Sequence, residues 1–253
     1  MEDLRLVYFS PSGTTRTVAT VLTEGMGVKP KVYDLLRHPI KEPISFGKDT
    51  LAVFVFPVYA GRMPALCLEM LKRINGTDTP AVAVVVYGNR AYDDALLELR
   101  NTLTDKGFHV FAAAAFVAQH SIFPNTAKGR PDEADKERIK AFGQQCIAKL
   151  ERGAAEVTVK GNMPYIVMGG VPIHPSGDRR CNSCGICVSI CPMKAIPADN
   201  PKKTDAKRCI ACTACIAACP QHSRGFHIPI IYPLAARQFA KKNAERKEPE
   251  IFI

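Results

Sequence analysis

The sequence predicts an α/β protein in which a doubly wound parallel sheet of five strands, in the order 2-1-3-4-5, precedes a small α+β domain. Apolar runs of strand length alternate with helical patterns over about the first 150 residues, which is typical of parallel strands joined by crossover helices. Eight of the ten cysteines then lie between positions 181 and 219. This change of composition indicates a second, differently built domain after the sheet.

Each predicted element has its own signal. Leu51–Pro57 and Ala81–Tyr87 are near-continuous apolar runs, as expected for central strands that are buried on both faces. Asp93–Lys106 carries leucines at helical spacing, which indicates an amphipathic helix. The remaining elements have shorter or weaker patterns and are the strands Leu4–Phe9, Lys31–Leu35 and Val110–Val117, and the helices around Val18–Leu22, at Ala65–Ile74 and at Glu133–Leu150.

A hydroxyl-rich turn between the first strand and the first helix indicates an anion site. Backbone N–H groups and the helix dipole favour an anion there, and hydroxyls add donors. The turn has neither the Gly-Lys-Ser/Thr of a Walker A loop nor the G-x-G-x-x-G of a dinucleotide loop, and an ordinary helix cap would explain it equally well. It resembles the phosphate loop of flavodoxins, although Thr14 and Pro11 depart from that pattern. The resemblance implies that FMN phosphate binds Ser10, Ser12, Gly13, Thr14 and Thr15.

Two further loops follow the third and fourth predicted strands. Ligands of such sheets bind beyond the carboxyl ends of the strands, at the switch point between strands 1 and 3. Each loop has glycine and one aromatic residue, which match the flavodoxin layout around a flavin ring, and the second also resembles the flavin loop of the flavodoxins that activate ribonucleotide reductase. Simple packing of the tyrosines and surface roles for the arginines are the alternatives. The residues expected to frame FMN are Pro57, Val58, Tyr59, Ala60, Gly61 and Arg62, and Gly88, Asn89, Arg90, Tyr92 and Asp93.

The cysteines form one pattern written twice, C-x2-C-x2-C-x3-C-P, with the two copies 28 positions apart. Paired C-x2-C elements also build zinc sites, but zinc requires neither the third cysteine nor the Cys-Pro step. The pattern resembles that of two-cluster bacterial ferredoxins, in which the fourth cysteine of each run ligates the other cluster. The resemblance implies one [4Fe–4S] cluster on Cys181, Cys184, Cys187 and Cys219, and another on Cys209, Cys212, Cys215 and Cys191.

Other reactive side chains are expected to be structural. Cys67 and Cys146 fall on predicted helices and are interpreted as buried packing residues. His120 follows the fifth strand, and a structural role is favoured over a flavin or substrate role. Thiolate ligation of clusters implies a reducing interior rather than a disulfide framework. Because no apolar stretch reaches the roughly 20 residues that cross a bilayer, we expect a cytoplasmic protein without membrane insertion.

The predicted organisation has four parts. These are a flavodoxin-like domain at 1–153, a structured connector at 154–176 in which Tyr165–Met168 packs, a two-cluster ferredoxin domain at 177–228, and a basic extension at 229–253. In the extension, Arg237 to Lys247 is expected to be helical and the terminal apolar residues to pack back on a domain. Residues 151–253 carry 15 basic and 8 acidic side chains, against 19 and 16 in residues 1–150. This basic excess either offsets cluster charge or steers an acidic partner, and no nucleic-acid motif accompanies it.

The whole chain resembles flavodoxin–ferredoxin fusion flavoproteins of anaerobic microbes. The resemblance implies FMN and two [4Fe–4S] clusters, and hence electron transfer between two-electron and one-electron chemistry with a redox protein partner, for which an acidic ferredoxin is the candidate. One alternative is an FMN and iron–sulfur oxidoreductase that reduces a small quinone-like acceptor through the clusters, and another is a redox or maturation partner that docks on a second protein. The sequence identifies neither the substrate nor the oligomeric state.

Overall fold

The computed structural model describes residues 3–167, 169–170 and 172–253. Met168 of the predicted connector packing therefore lies outside the described residues. Within these ranges the strands are β1 Leu4–Tyr8, β2 Lys31–Asp34, β3 Ile44–Phe46, β4 Leu51–Pro57, β5 Ile74–Gly76, β6 Thr79–Tyr87, β7 Phe108–Val117, β8 Ser176–Gly177, β9 Arg224–Gly225 and β10 Glu250–Phe252. The helices are α1 Thr14–Met26, α2 Ala65–Leu71, α3 Ala95–Asp105, α4 Glu133–Glu151, α5 Ile186–Ile190, α6 Ala214–Ala217 and α7 Ile231–Lys242.

The main sheet has the strand order β2-β1-β4-β6-β7-β10. The first five of these strands are parallel, and in chain order they are the five strands that the sequence predicts. The predicted order 2-1-3-4-5 is therefore confirmed. Every residue of β4 is buried, which fits a central parallel strand that has helices on both faces.

The sixth strand, β10, was not predicted as part of the sheet. It pairs antiparallel with β7, with Glu250 opposite Ala115 and Phe252 opposite Ala113. Three residues give too short a pattern for a strand to be predicted locally, but the pairing covers an otherwise open sheet edge. The prediction that the apolar chain end packs back on a domain is confirmed. The helix expected to reach Lys247 ends at Lys242, and the following residues lie against the sheet loops instead.

One predicted helix ends early. The pattern from Ala65 to Ile74 predicts one helix, whereas α2 ends at Leu71 and Ile74 begins β5. Ile74 pairs with Ile44 of β3 in a separate two-stranded parallel sheet. Tertiary pairing of this isoleucine therefore overrides the helical spacing of the preceding residues.

Two apolar layers cover the two faces of the main sheet. One includes Phe54 and Phe56 together with α3 side chains, and the other packs α1 and α4 on the sheet through residues such as Phe142. Cys67 and Cys146 are fully buried, one in each layer, as predicted. In the part of the chain that the structure describes, no helix combines the length and apolar character needed to cross a bilayer.

Candidate functional site

The first loop leaves the N-terminus of α1 open. Gly13 is the N-cap residue, with φ of 96°, and it has no side chain with which to cap the helix. A Cβ built on Gly13 would meet nothing within 4 Å, so space lies directly over the free end of the helix. The Ser12 and Thr14 hydroxyls are 3.1 Å apart, while Ser10 Oγ accepts a hydrogen bond from the Arg16 amide at 2.9 Å. An open helix end beside two hydroxyls has the donor set that a phosphate needs.

The second loop is a tight turn with little free space. Tyr59 and Arg62 exchange backbone hydrogen bonds of 2.9 and 3.1 Å, and Ala60 and Gly61 between them both have positive φ. A Cβ on Gly61 would come within 2.2 Å of the Asp93 carboxylate. Only glycine therefore allows the second loop and the loop that carries Asp93 to approach this closely.

Arg62 contacts protein groups and not open space. Its guanidinium binds both carboxylate oxygens of buried Glu98, at 2.9 and 2.5 Å, and donates to the Ile166 carbonyl at 2.7 Å. It also lies 4.6 Å from the centre of the Tyr165 ring. Of the connector residues that were expected to pack, Tyr165 does so, whereas Val167 is 94% exposed. The structure thus gives Arg62 a clear role in fastening the connector to the sheet loops.

Buried Asp94 binds the backbone of the same connector. Its carboxylate accepts hydrogen bonds from the backbone amides of Asn162 and Ile166, at 2.8 and 2.7 Å. Burial alone would raise the pKa of Asp94, but these N–H donors outweigh it and hold the pKa below the ordinary value. Asp94 and Glu98 were not predicted as site residues, because their partners are distant in sequence and the positions look like ordinary helix acids.

The third loop is held by the C-terminal segment 243–247. The Asn89 side-chain amide donates to the carbonyls of Asn243 and Glu245, at 2.9 and 2.8 Å, and its oxygen accepts from the Lys247 amide at 3.3 Å. Arg90 forms an ion pair with Asp93. Tyr92 is buried against Tyr87, with ring centres 5.5 Å apart. The Asn89 and Arg90 side chains are thus engaged within the chain, and Tyr92 packs in the core with its hydroxyl buried and without a hydrogen-bond partner among the described residues.

His120 closes the edge of the sheet behind the third loop. Its ring packs against Gly88, where an added Cβ would lie 2.5 Å away, and its centre is 4.8 Å from that of Phe239 of α7. Nδ1 is 3.1 Å from the amides of Ile122 and Phe123 and accepts from both. Burial, with a smaller contribution from Arg90, lowers the pKa of His120 to about 4. His120 is therefore a neutral packing residue near pH 7, which agrees with the favoured interpretation.

The eight motif cysteines line two cavities in residues 177–228, here called the cysteine segment. One cavity has an empty volume of about 340 Å³ and includes Cys191, Cys209, Cys212 and Cys215 in its wall. The other has an empty volume of about 300 Å³ and includes Cys181, Cys184, Cys187 and Cys219. The fourth cysteine of each run thus lines the cavity of the other run. Among the described residues, no group of three or more His, Cys, Asp or Glu side chains is arranged for a single metal ion.

The sequence repeat is also a repeat of backbone shape. Three pairs of equivalent positions, 28 residues apart and occupied by different residue types, have matching left-handed conformations, namely Ser183 and Ala211, Gly185 and Thr213, and Lys194 and His222. The short helices α5 and α6 begin 28 positions apart as well. Each run therefore folds into the same loop, which turns its first three cysteines around one cavity.

Donors at the two cavities fit iron–sulfur clusters. The Ala195 and Ser223 amides, again 28 positions apart, donate to Cys191 Sγ and Cys219 Sγ at 3.3 Å. One buried hydroxyl without a protein partner lines each cavity, Thr213 Oγ1 in one and Ser223 Oγ in the other. Sulfur atoms of a cluster accept such hydrogen bonds. Burial raises the pKa of Cys212 to about 12. The thiolate form of this residue is therefore unfavourable unless a cation lies next to it.

The second sheet loop touches the cysteine segment. Tyr59 Oη lies 3.5 Å from the carbonyl oxygen of Cys212, a long hydrogen bond. Burial raises the pKa of Tyr59 well above its ordinary value, and Cys212 and Cys67 add to the effect. Cys67 of α2 is also next to Cys212, which contributes after burial to the raised pKa of the Cys67 thiol. The loop expected at the flavin ring and the wall of one cysteine-lined cavity are therefore adjacent.

Comparison with known proteins agrees with this division of the chain. Residues 180–223 match the family model of a 4Fe-4S dicluster domain, and no curated protein matches the sequence. Among solved structures, a flavodoxin from the domain Archaea is 16% identical with a TM-score of 0.44, covering 60% of this chain and 99% of that one. The oxidised flavodoxin 2 from Bacillus cereus is 14% identical with a TM-score of 0.42, covering 58% and 99%.

The fold of the sheet region is identified by its strand order and not by these similarities. A parallel sheet in the order 2-1-3-4-5, with loops at the switch point, is the flavodoxin-like arrangement. The chain therefore combines a flavodoxin-like sheet region with a segment that matches a 4Fe-4S dicluster domain.

Proposed function

We propose that this protein is an electron-transfer flavoprotein that passes electrons between one FMN and two [4Fe–4S] clusters, and exchanges them with a redox protein partner. The observation that carries the proposal is the contact between Tyr59 and Cys212. It joins a loop at the carboxyl ends of the sheet strands, where ligands of such sheets bind, to a residue in the wall of a cysteine-lined cavity. Two cofactors bound on either side of this contact would be close enough to exchange electrons directly.

The arrangement of the cysteines supports two clusters with crossed ligation. Each cavity is lined by four cysteines, and each includes one contributed by the other run. This is the ligand sharing found in two-cluster ferredoxins. One cluster would be held by Cys181, Cys184, Cys187 and Cys219, and the other by Cys191, Cys209, Cys212 and Cys215.

The open end of α1 supports an FMN site. Ser12, Gly13, Thr14 and Thr15 would hold the phosphate, and the Tyr59–Gly61 turn would frame the ring. Bound FMN takes up two electrons, whereas each cluster takes up one, so the pair couples two-electron to one-electron chemistry. Gly88 and Asn89 stay predicted ring residues, although the Asn89 side chain already bonds to the C-terminal segment.

Side chains of the protein would keep the two cofactors close together and the space between them uncharged. Because burial keeps Tyr59 protonated and neutral, its ring fills the space next to Cys212 without adding a charge between the cofactors. Arg62, through Glu98 and Ile166, ties the connector to the loop that carries Tyr59. These contacts hold the loop and the connector together, which limits the movement of the cysteine segment away from the sheet.

The test is light-driven reduction of the flavin in the anaerobic full-length protein, followed by freeze-quench EPR of the clusters. We expect reduced clusters to form at a rate that does not depend on protein concentration. Tyr59→Phe should keep most of that rate, and Tyr59→Ala should lower it. A rate proportional to protein concentration, or a preparation with stoichiometric zinc in place of iron, would contradict the proposal.

A further inference from the structure

A buried arginine lies between the two cysteine-lined cavities. Arg224 begins β9 and is 3% exposed. It contributes to the walls of both cavities. The position 28 residues earlier is Ile196, a buried member of the small apolar cluster of the cysteine segment. At this position of the repeat, a cation in the second run replaces a buried aliphatic side chain of the first.

The partners that the structure gives Arg224 are neutral groups. One terminal nitrogen donates to the carbonyls of Pro201, Lys202 and Lys203, at 2.7, 3.4 and 3.3 Å. The other donates to the Pro175 carbonyl at 2.8 Å and to the Thr204 hydroxyl, and lies 3.8 Å from Cys215 Sγ. Its Nε is buried without a protein partner.

The charge of Arg224 thus lacks a carboxylate partner. None of the ion pairs formed within the described residues includes it, and burial of an unpaired cation is costly. The anionic groups that face it are the cysteine ligands. Its guanidinium lies 3.8 Å from Cys215 Sγ and forms part of the walls of both cavities, the second of which includes Cys187. The arginine therefore favours negative charge in both cavities.

We propose that Arg224 is a shared positioning cation that raises the reduction potential of both clusters. This inference rests on the proposed function, because it requires clusters in both cavities. Each cluster takes up one electron, from the flavin in the protein or from dithionite in the test, and becomes more negative by one charge. A buried cation stabilises the reduced form more than the oxidised form, and net charge and hydrogen bonds are known determinants of cluster potential.

The test is an EPR-monitored redox titration of the anaerobic full-length holoprotein. Arg224→Gln should lower the potentials of both clusters by at least the equivalent of a tenfold change in the equilibrium constant, which is 59 mV for one electron. Arg224→Lys, which keeps the charge and loses the planar fork, should retain most of the wild-type value. The matched control is Arg237→Gln. Arg237 is an exposed cation of α7 outside both cavity walls, and its substitution should change neither potential by more than threefold in the equilibrium constant.

Iron and sulfide content is measured before each titration. If the glutamine variant does not load, Arg224→Met, which imitates the Ile196 position, takes its place. If neither neutral variant loads but the lysine variant does, the requirement for charge is supported. Unchanged potentials in a loaded neutral variant would overturn the inference. Equal decreases of the potentials in the lysine and neutral variants would also overturn it, and would show that the planar guanidinium matters for its hydrogen bonds and not for its charge. Absence of iron from the wild-type protein would instead contradict the proposed function.

Discussion

The sheet and the cysteine segment are stabilised in different ways. The sheet has two extensive apolar layers that contain fully buried phenylalanines such as Phe54, Phe56 and Phe111. The cysteine segment has a buried apolar cluster of only Cys187, Ile196 and Cys215, two of which are proposed ligands. Apolar burial accounts for the first region, whereas a segment this small requires a further source of stability. The second region is therefore expected to depend on its metal.

Removal of the clusters should separate the two regions most strongly. In the full-length protein, kept reduced after chelation of its iron, we expect amides of the cysteine segment to lose hydrogen-exchange protection almost completely. Amides of β4 and β6 should keep theirs, because their burial does not involve the metal. Equal loss in both regions would show one cooperative unit. Retention in both would show that the cysteine segment folds without clusters.

Substitution of single ligands tests the crossed arrangement inside the cysteine segment. Cys191→Ser should remove about half of the iron and the EPR signal of the cluster held with Cys209, Cys212 and Cys215, because its sulfur lines that cavity. Cys219→Ser should remove the other signal. Cys146→Ser, a substitution in the sheet region, is the control and should change neither. If Cys191→Ser eliminated the signal of the Cys181–Cys187 cluster alone, the crossed assignment would be wrong.

A charge at the end of α1 tests the ligand edge of the sheet. Gly13→Asp should weaken FMN binding by about 100-fold, since a carboxylate would face the phosphate and the residue would keep an unfavourable φ of 96°. Gly27→Asp is the matched control. Gly27 caps the other end of α1 with φ of 71°, and an added Cβ there also meets nothing within 4 Å. Fluorescence titration of both variants gives the affinities, and equal values would refute the placement of the phosphate.

His120 should make the sheet sensitive to acid. Its pKa is lowered from 6.5 to about 4 in the folded protein. Above pH 6.5 both states are neutral, and as the pH falls toward 4 only the unfolded chain takes up the proton, so stability is lost over this range. The loss at pH 5 should be about 2 kcal/mol at most. Hydrogen exchange of β6 and β7 at pH 7.5 and 5 should therefore show a smaller pH effect in His120→Asn, and an identical pH effect would contradict the assignment.

The basic excess of the second half should affect partner binding least. We expect electron transfer to an acidic ferredoxin, measured by stopped-flow, to slow about tenfold as salt rises from 0.01 to 0.1 M. Lys207→Glu in the cysteine segment should reduce the rate at low salt, whereas Lys48→Glu, which is also exposed but lies on the sheet region, should not. A rate that does not change with salt, or that rises, would contradict this prediction. The basic residues would then serve only to offset the negative charge of the clusters.

Local pattern predicted the parts of the molecule that local physics decides. The apolar runs of β4 and β6 are visible within a few residues and match the observed strands. The cysteine spacing groups the eight cysteines as the two cavities do, and the binding of two clusters by these groups stays a prediction. The state of the third loop could not be predicted in this way. Asn89 looks like a free loop amide, yet its partners are about 155 residues away in the C-terminal segment. Arg224 likewise reads as one more surface charge, because only the folded segment brings five oxygen acceptors around it.

The return of β10 to the sheet changes how the chain is divided. After α4 the chain still packs on the sheet at Val157 and Val159, and after the cysteine segment it rejoins the sheet at β10 beside β7. The cysteine segment is therefore an insertion with two points of attachment to the sheet region. A chain held at both ends explores far less volume than a single linker allows. Cutting at residue 153 would not release an independent unit. It would expose the backbone edge of β7, which favours aggregation. It would also remove the hydrogen bonds that hold Asn89, so the third loop would be less ordered.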